Sequence, residues 1–299
     1  MRMKPAYVAL IRYAEIGVKL GRTRRLFEER LARSIRCHLA SSSLLLPLRL
    51  TPGRVYVEAT SLGEARRAAV AAARAFGVHS ATPAYSLPND IDLLESVVPK
   101  LFSEQLRRSH SFAIRARRVE TYPLTSREVE KILGAAVKQA FPDISVDLEH
   151  PELLIRVEIR ARRAYIYLDD WVVYGPGGLP YGVEGTAAIP ILECSDEELF
   201  AAWLVARRGA KLWLVAREAC EEVQAFIEKW VPCGDARVET SAEPLARVAR
   251  LAEKLAALPV YARVVRLPNG LYTLSPLELS PREQVERLYR LYRLGPIPR

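Results

Sequence analysis

From end to end the chain alternates between short segments of β-type patterning and longer ones with an apolar stripe at helical spacing. That alternation restricts it to α/β or α+β architectures, because a strand that is apolar on one face has to be covered by a neighbouring helix. AYVALIRY (6–13) reads as a strand, and RTRRLFEERLARSIRCHL sets Leu26, Phe27, Leu31 and Ile35 on one helical face. Residues 49–60 hold a hairpin-like turn at Pro52-Gly53 and a strand. Ser61, with Glu64 three residues on, opens a second helix that Gly77 closes. VHSATPAYSL completes the order βαββαβ, a ferredoxin-like arrangement.

A second unit repeats the alternation with longer elements. Residues 91–106 suit a helix and SFAIRARRV a strand. Thr125 and Glu128 form a capping box ahead of REVEKILGAAVKQAF. LLIRVEIRARRAYIYLDDWVVY reads as a hairpin carrying Arg156, Arg160, Arg162 and Arg163. GPGGLPYG (175–182) is a Gly/Pro connector and marks the clearest boundary. Beyond it IPIL, AKLWLVA and VYARVVRL read as strands. DEELFAAWLVARRG, CEEVQAFIEKW, EPLARVARLAEKLAAL and SPREQVERLYRLYRLG read as helices. Strands and helices in that order argue for a reduced, doubly wound parallel sheet. The expected organisation is 1–85, 86–174, a linker at 175–182, and 183–299.

The charge is unevenly placed. Lys and Arg outnumber Asp and Glu 28 to 19 over residues 1–181, whereas 182–299 balance at 16 each. A basic part beside a neutral one suggests a polyanion docked on one side. No apolar run is long enough to span a membrane, and the start breaks with charges too early for a signal peptide. Cys37, Cys194, Cys220 and Cys233 are scattered with no CxxC, so inert structural cysteines and a cytoplasmic location are expected, with no disulfide framework. Few amides and many arginines hint at a thermophile. His38, His79, His110 and His150 never fall at ligand spacing, and no metal site is expected.

Three stretches carry a family resemblance. IRYAEIGVKLGRTRRLFEERL resembles the opening signature of the tRNA 4-thiouridine synthases, the tRNA sulfurtransferases associated with thiamine biosynthesis. FAIRARRVETYPLTSREVEKILGAAV, with VDLEHPELLIRVEIRARRAYIYLDD, is similar to the RNA-binding THUMP module. YGPGGLPYGVEG resembles the linker into that family's PP-loop nucleotide domain. The resemblance is specific over about residues 7–208. It implies an N-terminal ferredoxin-like domain, a THUMP domain and an adenine-nucleotide-hydrolase-like third domain.

In that family the PP-loop reads like S-G-G-x-D-S ahead of a helix. Its glycines let backbone N–H groups close on ATP phosphates. Aligned through Ala201, Ala202 and Trp203, those six positions hold Glu193, Cys194, Ser195, Asp196, Glu197 and Glu198. Both glycines are gone, and with them the easy φ > 0 geometry. Two unit charges about 4 Å apart repel by roughly 4 kcal/mol at an effective dielectric near 20, so crowded carboxylates oppose polyphosphate. The expected state is a solvated, acidic helix start with no catalytic residue. The family's Gly-Asp/Glu-Ser-Leu-Gly-Gln segment is also missing, and no rhodanese module is expected.

The RNA-facing pattern is retained. The resemblance implies that tRNA is gripped by Arg115, Arg117 and Arg118, by the helix start at Thr125, Ser126 and Arg127, and by Lys131 and Lys138. Arg12, Lys19, Arg22, Arg24 and Arg25 form a second basic cluster, some of which can instead pair with Glu28, Glu29 or Glu130. The leading expectation is a tRNA-binding protein derived from tRNA thiolation enzymes, sulfurtransferase-like but without its own ATP-dependent catalysis, serving a catalytic partner protein or acting alone. Two readings stay open: an active ATP-dependent sulfurtransferase using ATP and Mg, or a subunit whose third domain forms a homodimer or holds a partner.

Overall fold

The computed structural model describes residues 6–13, 15–18, 20–119, 122–160, 162–233 and 235–298. In the first unit β1 (Ala6–Tyr13), α1 (Gly21–Ser41), β2 (Leu48–Thr51), β3 (Arg54–Ala59), α2 (Leu62–Ala72) and β4 (Val78–Pro88) follow the ferredoxin-like order. The second unit comprises α3 (Ile91–Leu101), α4 (Ser103–Arg108), β5 (Ser111–Arg118), α5 (Ser126–Ala140), β6 (Ser145–Val146), β7 (Leu153–Arg160), β8 (Arg163–Leu168) and β9 (Val173–Tyr174). The single helix expected over 91–106 is broken at Phe102, because burying that ring against Tyr85 and Trp171 turns the chain.

These two units build one continuous sheet in the order β2-β3-β1-β4-β8-β7-β5-β6. The expected boundary at residue 85 falls inside β4. That strand pairs with β1 through most of its length and with β8 from Tyr85 to Pro88. Alternation along the strands separates two faces. Ala9, Ile11, Val55 and Val57 meet α1 and α2, and Ile114, Ile155 and Ile166 meet α3 and α5. The opposite face carries Val8, Leu10, Tyr56, Ala84, Tyr165 and Tyr167, a buried cluster with no α-helical member among the described residues.

The third unit holds β10 (Thr186–Ile191), α6 (Asp196–Arg207), β11 (Lys211–Ala216), α7 (Glu221–Trp230), β12 (Arg237–Thr240), α8 (Pro244–Leu255), β13 (Leu258–Pro259), α9 (Arg282–Leu294) and β14 (Ile297–Pro298). Its sheet is parallel, ordered β12-β11-β10-β13. Helices α6, α7 and α9 cover one face and α8 the other, which is the doubly wound layout. VYARVVRL does not form the strand its alternation suggested. After β13 its backbone bonds go to a returning segment, Tyr261 N–H to Leu274 O and Thr273 N–H to Val265 O, so it folds back on itself.

The connector at 175–182 is packed rather than loose. A Cβ at Gly175 would overlap the Ala73 carbonyl, and one at Gly178 the Arg207 carbonyl, so both positions exclude side chains. Phe76 of the first unit lies 5.7 Å from Trp203 and 5.9 Å from Trp230, inside the third unit's core. The cysteines also depart from expectation. Cys37 on α1 is disulfide-bonded to Cys233, with Cα atoms 5.5 Å apart across 196 residues, and Cys194 is bonded to Cys220. Sequence spacing could not reveal pairs that only domain docking and strand order bring together. No helix among the described residues is long and apolar enough to cross a membrane.

Candidate nucleic-acid interface

Two places bear on phosphate: the turn after β10, expected to be a solvated acidic helix start that no longer holds it, and the basic surface of the first two units, expected to bind it. The turn is built around Glu198. Ser195 caps α6 and accepts the Glu198 N–H, completing a capping box with the Glu198 side chain. The carboxylate then reaches further back, accepting N–H bonds from Leu192 at 2.8 Å, Ser195 at 3.0 Å and Glu193 at 3.2 Å. Glu198 is only 2% exposed, which corrects the expectation of a solvated acidic turn. An inward-facing carboxylate satisfies backbone donors that would otherwise be orphaned at the helix start.

The other loop acids are engaged too. Asp196 accepts hydrogen bonds from Tyr289, from Tyr292 at 3.0 Å and from Arg293 at 3.2 Å, all on α9. Burial, reinforced by the Asp196 charge, pushes the Tyr292 hydroxyl pKa up. Glu197 lies 3.8 Å from Arg263 in an exposed pair, and Glu193 is exposed. Cys194 has φ at 53°, a left-handed backbone conformation that glycine adopts more easily. Among the described residues no group of His, Cys, Asp and Glu side chains is placed to hold a metal ion.

The predicted basic residues divide between layers. Arg12, Arg115 and Arg117 occupy open-face positions of the first sheet, whereas Arg118 follows the alternation of Ile114 and Ala116 toward the helices. On α1, Arg24 pairs with Glu28 at 3.0 Å and Arg25 with Glu29 at 2.9 Å, while Arg22 makes no ion pair among the described residues. Lys19 lies outside the described residues. On α5, the capping box uses the N–H groups of Thr125 and Glu128, leaving those of Ser126 and Arg127 unclaimed by it. Arg127 and Lys131 are exposed, but Lys138 is committed to the carbonyls of Pro142 and Ile144 at 2.6 and 2.8 Å. Glu130 takes the Ala116 N–H instead of an arginine.

The open face is centred on a residue not anticipated as important. Glu158, 3% exposed, meets Arg12 at 3.1 Å and Arg54 at 3.0 Å, and also Arg160. Burial opposes its ionisation, yet the three guanidinium groups outweigh that and hold its carboxyl below the usual range. Arg54 is on β3 and Glu158 on β7, separated in the sheet by β1, β4 and β8. In a flat sheet four strand spacings would put them about 19 Å apart, further than both side chains reach. The sheet therefore curls, and this face is concave. Arg49 stacks 4.4 Å above Tyr56, which itself stacks on Tyr165 at 4.9 Å. The arginine stems and tyrosine rings roof the apolar floor while their charged ends stay near solvent. The sequence signal was the spacing of Arg156, Glu158 and Arg160, which alternation puts on one face.

Comparison with known proteins follows the same division. Residues 8–82 match the ThiI ferredoxin-like domain and residues 88–169 the THUMP domain. A probable tRNA sulfurtransferase of Aeropyrum pernix is 38% identical over 208 residues, which cover 69% of this chain and 51% of the relative. A tRNA sulfurtransferase of Pyrobaculum aerophilum is 36% identical over 212 residues, 68% of this chain and 40% of that one. The chain spans about half the length of the curated relatives it matches. Among solved structures, PH1313 from Pyrococcus horikoshii superposes with a TM-score of 0.73 at 25% identity, covering 97% of this chain and 99% of its own. A 4-thiouridine synthetase, solved as an RNA complex with bound ATP, shares the fold with a TM-score of 0.69 at 19% identity, covering 96% of this chain and 86% of its own.

Proposed function

Because the chain belongs to the ThiI family, with that family's ferredoxin-like domain followed by THUMP, we propose that it is a tRNA-binding protein of the tRNA-thiolation system that lacks its own ATP-dependent step. The observation that carries the second half is Glu198. Its carboxylate accepts the N–H groups of Leu192, Glu193 and Ser195, donors of the kind that hold phosphate in a nucleotide loop. A polyphosphate would have to displace an internal anion that remains tethered beside it. Supporting the first half, the excess of positive charge falls in the first two units, and the curated relatives there are tRNA sulfurtransferases. The chemical step falls in this reading to a separate catalytic partner that receives the bound tRNA.

Calorimetric titration with ATP·Mg²⁺ and with unmodified tRNA tests both halves. Saturable ATP binding in the micromolar range is not expected and would overturn the non-catalytic reading. It would favour an active ATP- and Mg-dependent sulfurtransferase, for which the left-handed backbone at Cys194 is the supporting observation. Affinity for tRNA should fall steeply with salt, since each neutralised phosphate contributes about −0.7 to −0.9 to the log–log slope. Absent or salt-insensitive binding would remove the RNA assignment.

A further inference from the structure

The concave face of the first sheet holds a cavity of about 370 Å³ lined from β1, β4, β8, β7 and β5. Arg12, Arg115, Arg117 and Arg156 converge on it, with His79 and Tyr174 forming an aromatic wall. The walls come from both halves of the sheet: Arg12 on β1 and His79 on β4 flank one side, Tyr174 is on β9 paired to β4, and β5, β7 and β8 supply the rest. We propose that this cavity seats one nucleotide of the bound RNA, its phosphate among the arginines and its ring beside His79 and Tyr174. The inference rests on the RNA-binding reading above and assigns the RNA to the concave sheet face rather than to the helices.

Charge and order favour this face. One carboxylate, Glu158, is shared by Arg12, Arg54 and Arg160, so the cluster keeps a positive surplus behind the cavity. Arg156 is paired to Asp169, but Arg117 is exposed with no ion pair among the described residues. Arg12 is also fixed by Thr82 at 3.1 Å and by Tyr167 at 2.6 Å, and Arg115 by the Leu148 carbonyl. Side chains held this way lose little freedom when a ligand arrives. His79 and Tyr174 meet edge to face at 5.9 Å, presenting ring surface beside the guanidinium groups. Phosphate and a flat ring in one ligand suit that mixture, because guanidinium groups bind phosphate through paired donors and bases stack on aromatic faces. A purely acidic protein segment would leave the rings unused. On the helix side much of the basic charge is already committed, with Arg24 and Arg25 paired along α1 and Lys138 bonded to carbonyls.

The test compares tRNA affinity of the intact chain with R117Q, R117Q/R156Q, Tyr174→Ala and, as the helix-side control, R127Q/K131Q. R117Q removes an unpaired side chain and keeps the test valid should loss of the Arg156–Asp169 pair disturb folding. We expect about a tenfold loss for the cavity pair, as for removal of charged hydrogen bonds. The salt slope should become shallower by roughly 0.7 for each phosphate no longer neutralised. The helix pair should lose less than about threefold, the smaller effect of an exposed charge. A larger loss for R127Q/K131Q, or no loss in R117Q and Tyr174→Ala, overturns the cavity while leaving RNA binding intact. Wild-type protein that ignores tRNA, yet binds poly-glutamate in an Arg117-dependent way, overturns the RNA assignment itself and transfers the site to an acidic protein.

Discussion

Glu158 and Glu198 are both almost fully buried, and the molecule handles the two carboxylates in opposite ways. Glu158 lies among three arginines contributed by both halves of the first sheet. Glu198 has no cation at hydrogen-bond distance among the described residues and is held by backbone N–H groups of its own turn. The first leaves a surface with positive charge to spare. The second sets a negative charge against the partial positive charge of a helix start. A buried carboxylate can thus either organise an electropositive surface or abolish one, and the difference lies in how many cations surround it. His38 is a third case. It is buried with neither ring nitrogen partnered among the described residues, and it resolves the cost of burial by staying neutral.

The largest effect should come from breaking the first arrangement. Glu158→Ala leaves three mutually repelling guanidinium groups around an empty site, and should lower stability to denaturant by about 3–5 kcal/mol. An effect below about 1 kcal/mol would mean that solvent already screens the cluster. The same group predicts a pH dependence. Its folded-state pKa lies below the usual 4.5, so its contribution is fully present above that value and is lost as pH falls through the depressed one. Denaturation midpoints should drop below pH 4.5 in the parent and less so in Glu158→Gln.

Glu198→Ala should cost less, about 3 kcal/mol or below, because three N–H groups lose an acceptor but water can enter the turn. Inorganic phosphate stabilising this variant but not the parent would sharpen the comparison, showing that the internal carboxylate is what fills the anion site. Phosphate stabilising both equally would break it. At neutral pH the smallest effect should be that of His38. Burial, with the like charge of Arg74 second, pushes its pKa down to about 3 from 6.5. Between those values the unfolded chain binds the extra proton, so stability should fall as pH drops, by about 1.4 kcal/mol per pH unit. His38→Leu should flatten this slope between about pH 6.5 and 5, and an unchanged slope would assign it to other groups.

Much of the architecture was legible in the residues. The helices expected over REVEKILGAAVKQAF and DEELFAAWLVARRG start where their residues put them, each at a capping box, on Thr125 and on Ser195. The close packing that the glycines of residues 175–182 permit was not legible. Two errors are instructive. VYARVVRL has strand alternation but no neighbouring strand among the described residues to accept most of its backbone, so local pattern alone misled. The cysteines looked unconnected because Cys37 and Cys233 meet only after the third unit docks through Phe76. At the candidate interface, the arginine content was visible, but not which basic side chains were already committed to Glu28, Glu29 or the Pro142 carbonyl.

By itself the sequence determined the order of strands and helices, the concentration of positive charge in the first two units, and a turn after β10 that is rich in carboxylates and has no glycine. Each follows from neighbours a few residues apart, whose periodicity and composition act locally. Only the tertiary structure decided that two units share one sheet, that this sheet curls far enough for Arg54 to reach Glu158, and that Glu198 turns inward. Those outcomes depend on strand order and packing between residues distant in the chain, about which local pattern is silent.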